Sequence, residues 1–127
     1  MRAAMAKVML IEDDENMLDL LSMYLQIEGF QVTQLKPGAN LLENIRKEHP
    51  DLVFMDVHLK AVNGEEISGL DLIKQIRQDE STRSTRVMMA SGMDMSDECR
   101  KAGADDFLLK PFMPDELIKK IKQFVKN

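Results

Sequence analysis

The stretch Leu52-Val53-Phe54-Met55-Asp56 sets four consecutive apolar residues between Pro50-Asp51 and a polar, glycine-containing segment, and it closes on a single aspartate. An apolar run this short and unbroken predicts a strand buried on both faces. Such a strand belongs inside a parallel sheet with helices on either side. A carboxylate at its C-terminal edge lies where open α/β sheets bind ligands. On this stretch alone, Asp56 equally well ends a strand and starts a turn.

The rest of the chain repeats the pattern. Lys7 to Ile11 reads as a first strand, followed by the acidic run Glu12-Asp13-Asp14-Glu15. Asp14 is placed to cap a helix whose apolar positions are Met17, Leu21, Tyr24 and Leu25, broadened by Leu18 and Ile27 and stopped by Gly29. Gln31 to Leu35 alternates weakly as a second strand. Pro37-Gly38 then turns into a helix carrying Ala39, Leu42 and Ile45 that ends before Pro50.

Val57 to Ser68 reads as a loop, longer than most such connections. A helix from Gly69 to Gln78 carries Leu70, Ile73 and Ile76. A fourth strand spans Arg86 to Ala90 and ends in Ser91-Gly92, and a short helix runs from about Ser96 to Ala102 and stops at Gly103. Asp106 to Leu109 is a fifth strand, ending in Lys110-Pro111-Phe112. Pro114 opens a last helix with Leu117, Ile118, Ile121, Phe124 and Val125 facing inward. Five strand–helix alternations with no hairpin signal predict a parallel sheet covered by helices on both faces.

Composition removes several function classes. A chain of 127 residues is the size of one domain, and 44% hydrophobic with 31% charged residues argues for a globular protein. A net charge of −5 does not suit a phosphate-reading nucleic-acid surface. The single cysteine, Cys99, excludes an internal disulfide and fits a reducing cytoplasm; it reads as a helix-face filler. No apolar run approaches a membrane span, and Met1-Arg2-Ala3-Ala4-Met5-Ala6 lacks the core of a signal peptide. The eleven methionines read as core and strand residues. Lys119, Lys120, Lys122 and Lys126 read as the solvated faces of the last helix.

In a parallel sheet all strand C-termini share one edge. That edge would collect Glu12, Asp13, Asp56, Ser91 and Lys110. Three converging carboxylates repel unless a cation or proton intervenes, and Mg²⁺ suits them because it takes oxygen ligands. A lysine and a hydroxyl beside that cation make a site for a phosphoryl group, and an aspartate there can be its nucleophile. Each member alone has an ordinary reading: a solvated helix start, a turn at Ser91-Gly92, a lysine before a proline. Their joint placement is far more specific.

In these segments the chain resembles the response-regulator receiver domains of two-component signalling, the CheY-like superfamily, over essentially its whole length. The resemblance lies in Val8 to Glu15, Asp51 to Asp56, Ser68 to Ile73, Val87 to Gly92 and Ala102 to Phe112. It implies a flavodoxin-like (βα)5 doubly wound sandwich with strand order 2-1-3-4-5. It also implies a single receiver domain over 1–127, structured over about 7–126, with no output domain in this chain. Asp56 would accept a phosphoryl group from a phosphohistidine on a sensor histidine kinase or phosphotransfer protein. Asp13 and Asp56 would bind Mg²⁺ with the backbone carbonyl of His58, and Glu12 would act through water. Lys110 would pair with phosphoryl oxygens, its bond to Pro111 would be cis, and Ser91 would hydrogen-bond another phosphoryl oxygen. Phe107 would swing inward with Ser91, remodelling the face of the fourth helix, fifth strand and fifth helix for protein contacts. On this reading the chain is a signalling switch, with only self-catalysed phosphotransfer and autodephosphorylation, acting as a monomer or weak homodimer in the cytoplasm.

Two departures from the family pattern stand out. The glycine that opens the third helix falls at Gly69 rather than at Gly64, which implies five extra residues within Lys60 to Ile67. Lys60 also replaces a commonly found proline. The segment Ser91 to Gly103 is shortened, so the fourth helix should be short or displaced. Rival readings fare worse. An aspartate-nucleophile phosphohydrolase usually has a second acid where His58 stands, and no G-x-G-x-x-G or P-loop supports nucleotide binding. The alternative is a degenerate receiver acting as a phosphorylation-independent interaction module.

Overall fold

The computed structural model describes residues 5–38 and 40–125; Met1–Ala4, Ala39 and Lys126 of the sequence expectations lie outside the described residues. Five strands form one parallel sheet: β1 (Lys7–Ile11), β2 (Gln31–Leu35), β3 (Leu52–Asp56), β6 (Arg86–Ser91) and β7 (Asp106–Leu109). Their spatial order is β2-β1-β3-β6-β7, which is the expected 2-1-3-4-5 order of the central sheet. β3 lies in the middle and every one of its residues is buried. Its unbroken apolar run has no other place in such a sheet.

Helices cover both faces. On one side α1 (Glu15–Ile27) and α5 (Pro114–Phe124) pack on Val8, Leu10, Leu52, Phe54, Met88, Ala90 and Leu108. On the other, α2 (Leu41–Glu48), α3 (Gly69–Gln78) and α4 (Ser96–Ala102) pack on Met9, Ile11, Val53, Met55, Val87 and Met89. Adjacent residues of one strand thus feed opposite cores, as the period of two requires.

Asp14 caps α1 by accepting the N–H groups of Asn16 and Met17. Gly29, at φ 94°, ends it in a Schellman arrangement, with Phe30 N–H on Leu25 O and Gly29 N–H on Gln26 O. The buried stripe of α1 is Leu18, Leu21, Ser22 and Leu25, which corrects the expected face. Tyr24 and Ile27 stand outside it at 42% and 73% exposure, because the strong apolar periodicity of Leu18-Leu21-Leu25 sets the helix rotation. Lys120 is likewise not merely solvated: its ammonium meets the buried Asp106, which Arg100 of α4 also pairs.

The expected loop 57–68 is a hairpin. β4 (His58–Lys60) and β5 (Glu66–Ser68) pair antiparallel, with Leu59 opposite Ile67. Leu59 is buried and Ile67 packs on the same core, while their neighbours His58, Lys60, Glu66 and Ser68 are exposed. Gly64, at φ 87°, turns the chain between them. The period of two and the Asn63-Gly64 pair are hairpin signals that the sequence did carry.

Gly69 opens α3 directly against the end of β3. A Cβ there would lie 2.3 Å from Asp56 O and 3.0 Å from the Met89 methyl group. The glycine therefore fixes how closely α3 approaches the sheet edge. Gly69→Ala is expected to destabilise the protein by about 2–4 kcal/mol through this overlap with backbone. Urea denaturation of the variant checks it, and unchanged stability would mean that the contact is not held in solution.

Asp79, which ends α3, pairs with Arg46 of α2 and accepts from Ser81; these contacts hold its carboxyl down to about 2. With the folded value below the ordinary one, the contribution is complete above about pH 4 and is lost as pH falls towards 2. Arg46→Ala is expected to flatten that acid limb of the stability curve, as read from urea midpoints at successive pH values.

Candidate functional site

The parallel register alone brings the site together. Ile11 pairs with Met55, Asp56 with Ala90, and Ser91 with Leu109. The next residues along each strand therefore meet at one edge: Glu12 and Asp13 after β1, Asp56 at the end of β3, Ser91 at the end of β6, Lys110 after β7. Backbone bonds extend the alignment past the strands, with Val57 N–H on Ala90 O and Lys110 N–H on Ser91 O.

Glu12, Asp56 and Ser91 are buried at 2%, 5% and 5% exposure, whereas Asp13 is exposed. Lys110 Nζ donates to Asp56 Oδ2 at 2.7 Å and to Glu12 Oε2 at 3.4 Å. The bond from Lys110 to Pro111 is cis, as expected. Ligand oxygens of Glu12, Asp13 and Asp56 lie within 4.8 Å of one another. Burial raises the Glu12 carboxyl, and the contact with Asp56 raises it further. Partial desolvation of its carboxyl raises Asp13 as well, as do the hydrogen bond and the charge of Glu12. Burial pulls Lys110 down, but Asp56 and Glu12 outweigh it and the ammonium is held above its ordinary range.

Asp56 Oδ1 is buried with no hydrogen-bond partner among the described residues. An unpaired buried carboxylate oxygen is costly, and here it sits among two further acids and a single lysine. That deficit of positive charge, with donors that are all hard oxygens, fits a divalent cation such as Mg²⁺.

The remaining sequence candidates take varied places. The Ser91 hydroxyl accepts Met93 N–H at 3.2 Å and makes no hydrogen bond to Asp56 among the described residues. His58 is exposed on β4; the hairpin register leaves its carbonyl outside the ladder, since Gly69 N–H bonds Val57 O instead. Phe107 is already inward, 8% exposed and part of the core under α3 and α4. α4 is short, spanning seven residues before its C-cap at Gly103. One contact had no sequence signal: the backbone N–H of Lys60 donates to Asp13 Oδ2 at 3.1 Å.

A family model described as the response regulator receiver domain matches residues 8–122. The chain belongs to this family. Among curated proteins the receiver is 30% identical over 118 residues to the DNA-binding response regulator MtrA of Mycobacterium tuberculosis (strain H37Rv), covering 91% of this chain and 49% of that protein. It is 28% identical to the polar-differentiation response regulator DivK of Brucella ovis, over 93% of this chain and 94% of that one. The chain thus spans about half the length of the MtrA relatives it matches. Among solved structures, a putative response regulator from Chloroflexus aurantiacus J-10-fl superposes with TM-score 0.84 at 30% identity, covering 95% and 98% of the two chains. The chemotaxis response regulator CheY4 of Vibrio cholerae gives 0.83 at 26%, covering 96% and 100%. Receiver domains are signalling switches rather than ordinary enzymes, they generally bind Mg²⁺ at an acidic site, and they work with histidine kinases or phosphotransfer proteins. No described helix of this chain is long and apolar enough to cross a membrane.

Crowding of like charge makes the acidic cluster a local cost. Glu12→Gln removes one buried charge while keeping an acceptor for Asp14 N–H, which Glu12 Oε1 holds at 3.1 Å. Without divalent cation, the variant is expected to melt about 3 °C higher at neutral pH, on the order of 0.5–1 kcal/mol. Thermal unfolding in chelator checks this; an unchanged or lower midpoint would show that Lys110 already balances the acids.

Proposed function

We propose that this receiver is a phospho-accepting switch in which Asp56 takes a phosphoryl group from a phosphohistidine of a kinase or phosphotransfer partner. The observation that carries the reading is the division of labour on one carboxylate. Asp56 Oδ2 is held by Lys110, and Oδ1 is buried with no hydrogen-bond partner among the described residues. A carboxylate fixed by one oxygen presents the other as a nucleophile in a defined direction.

In the transfer, Asp56 Oδ1 forms a bond to phosphorus as the bond to the donor's imidazole nitrogen breaks. The electron pair leaves with the imidazole, which takes up a proton. Lys110 Nζ then has phosphoryl oxygens to pair with in place of the bare carboxylate. The Ser91 hydroxyl can turn to donate to another, because its hydrogen has no acceptor among the described residues. Asp13, Asp56 and the His58 carbonyl would hold Mg²⁺, with Glu12 acting through water. The ion would neutralise charge on the transferring group.

The reorientation of Ser91 is the local event of the switch. Ser91 neighbours Leu109 in the sheet register, two residues beyond Phe107, and Phe107 lies on Met89 of the same strand. A shift at Ser91 would therefore repack Phe107 and bias the surface formed by α4, β7 and α5. That surface is the proposed output, read by a downstream protein. The single receiver unit acts in it as monomer or weak homodimer.

Intact mass after incubation with acetyl phosphate is the test. The expected result is a Mg²⁺-dependent gain of one phosphoryl group that disappears in Asp56→Asn. A wild-type protein that gains nothing, or an Asp56→Asn variant that gains as much, would overturn the reading. Lys110→Ala is expected to retain labelling but lose most of the phosphorylation-dependent change in the amide spectra of α4, β7 and α5. Unaltered spectral changes would remove Lys110 from the coupling.

A further inference from the structure

Lys60 departs from the receiver pattern, standing where the family commonly has a proline, and it lies at the start of the region with the added residues. The structure gives this departure a specific contact. On β4 the pairs His58–Ser68 and Lys60–Glu66 are of the non-hydrogen-bonded kind, since Gly69 N–H bonds Val57 O and Ala61 N–H bonds Glu65 O. The N–H of Lys60 is therefore not used by the hairpin ladder. It is donated outward to Asp13 Oδ2 at 3.1 Å. A proline at this place has no N–H and could not make that bond.

We propose that the β4–β5 hairpin is a positioning element for the cation site, with the backbone N–H of Lys60 as the donor that orients Asp13. The proposal rests on the reading of Glu12, Asp13 and Asp56 as a Mg²⁺ site. Asp13 needs such support more than the others. It lies beyond the end of β1 and is exposed, whereas Glu12 and Asp56 are fixed by burial and by Lys110. A hydrogen bond to one carboxylate oxygen favours the charged form and limits rotation of the side chain.

The donor is itself held firmly. Leu59, the preceding residue, is 2% exposed within the core of α2, α3 and α4. At the base of the hairpin Gly69 N–H bonds Val57 O at 2.6 Å, and Val57 N–H bonds Ala90 O on the neighbouring strand. Lys60 is thus one residue from a core anchor, so its N–H is carried by the same framework as Asp56. An outer partner placed this way holds a ligand where a mobile loop would not.

Calorimetric titration of Mg²⁺ into Lys60→Pro and Lys60→Ala separates the N–H from the ammonium, because both variants lose the charge and only the proline loses the donor. Lys60→Pro is expected to bind Mg²⁺ about tenfold more weakly than Lys60→Ala, whose restored N–H keeps it within about twofold of wild type. Equal affinities for the two variants overturn the proposal. Absence of Mg²⁺ binding by the wild type overturns the site reading with it, which distinguishes the two failures. Should proline disturb the hairpin, hydrogen exchange of the Lys60 amide in the wild-type protein decides. Protection kept or increased when Mg²⁺ is added supports a positioning donor; loss of protection on Mg²⁺ binding overturns it.

Discussion

Three carboxylates converge at one edge of the sheet, and the mutual repulsion of Glu12, Asp13 and Asp56 is the constraint around which the rest is arranged. In water three acids would separate. Here the parallel register forbids it, because Glu12 and Asp56 end adjacent strands whose pairing is locked by two apolar cores. Lys110 supplies one positive charge from a third strand end and leaves the cluster short of neutrality. A site built this way has a standing preference for a cation and for a reaction that changes charge at Asp56.

The sheet bears this strain because its core does not depend on the site. Val8 to Ile11, Leu52 to Met55 and Val87 to Ala90 are completely or almost completely buried, and they alternate between the two helical layers. Burial of that much apolar surface is the dominant favourable contribution to a domain of this size. The functional groups all stand at the C-terminal rim, one or two steps past the last core residue of each strand. Stability and chemistry thus occupy consecutive positions of the same strands, and a change at the rim need not open the core.

The residues that follow Asp56 fold into a hairpin that is tied to the core by Leu59 and to the acidic cluster by the Lys60 N–H. Gly69 then brings α3 back against Asp56 with no room for a side chain. A segment that could have been a solvated loop is instead part of the wall of the site. On the opposite side, the short α4 is held through Arg100 and Lys120, of α4 and α5, on the buried Asp106 of β7. Asp106 immediately precedes Phe107, so the ionic and aromatic parts of that surface are adjacent in one strand.

The sequence by itself determined the order of the five central strands and their helices, the identity of the rim residues and the family to which they belong. Those features depend on local periodicity, on caps such as Asp14 and Gly29, and on short motifs whose spacing is fixed along the chain. The tertiary structure alone decided three things: the rotation of α1 that exposes Tyr24 and Ile27, the pairing of Lys120 with Asp106, and the bond from Lys60 N–H to Asp13. The hairpin lies between these cases, since Asn63-Gly64 and the alternation around Leu59 and Ile67 were present but short. The physical reason is distance along the chain. Periodicity and capping act over a few residues, whereas Lys60 and Asp13 are 47 positions apart and meet only because β1 and β3 are neighbours in the sheet.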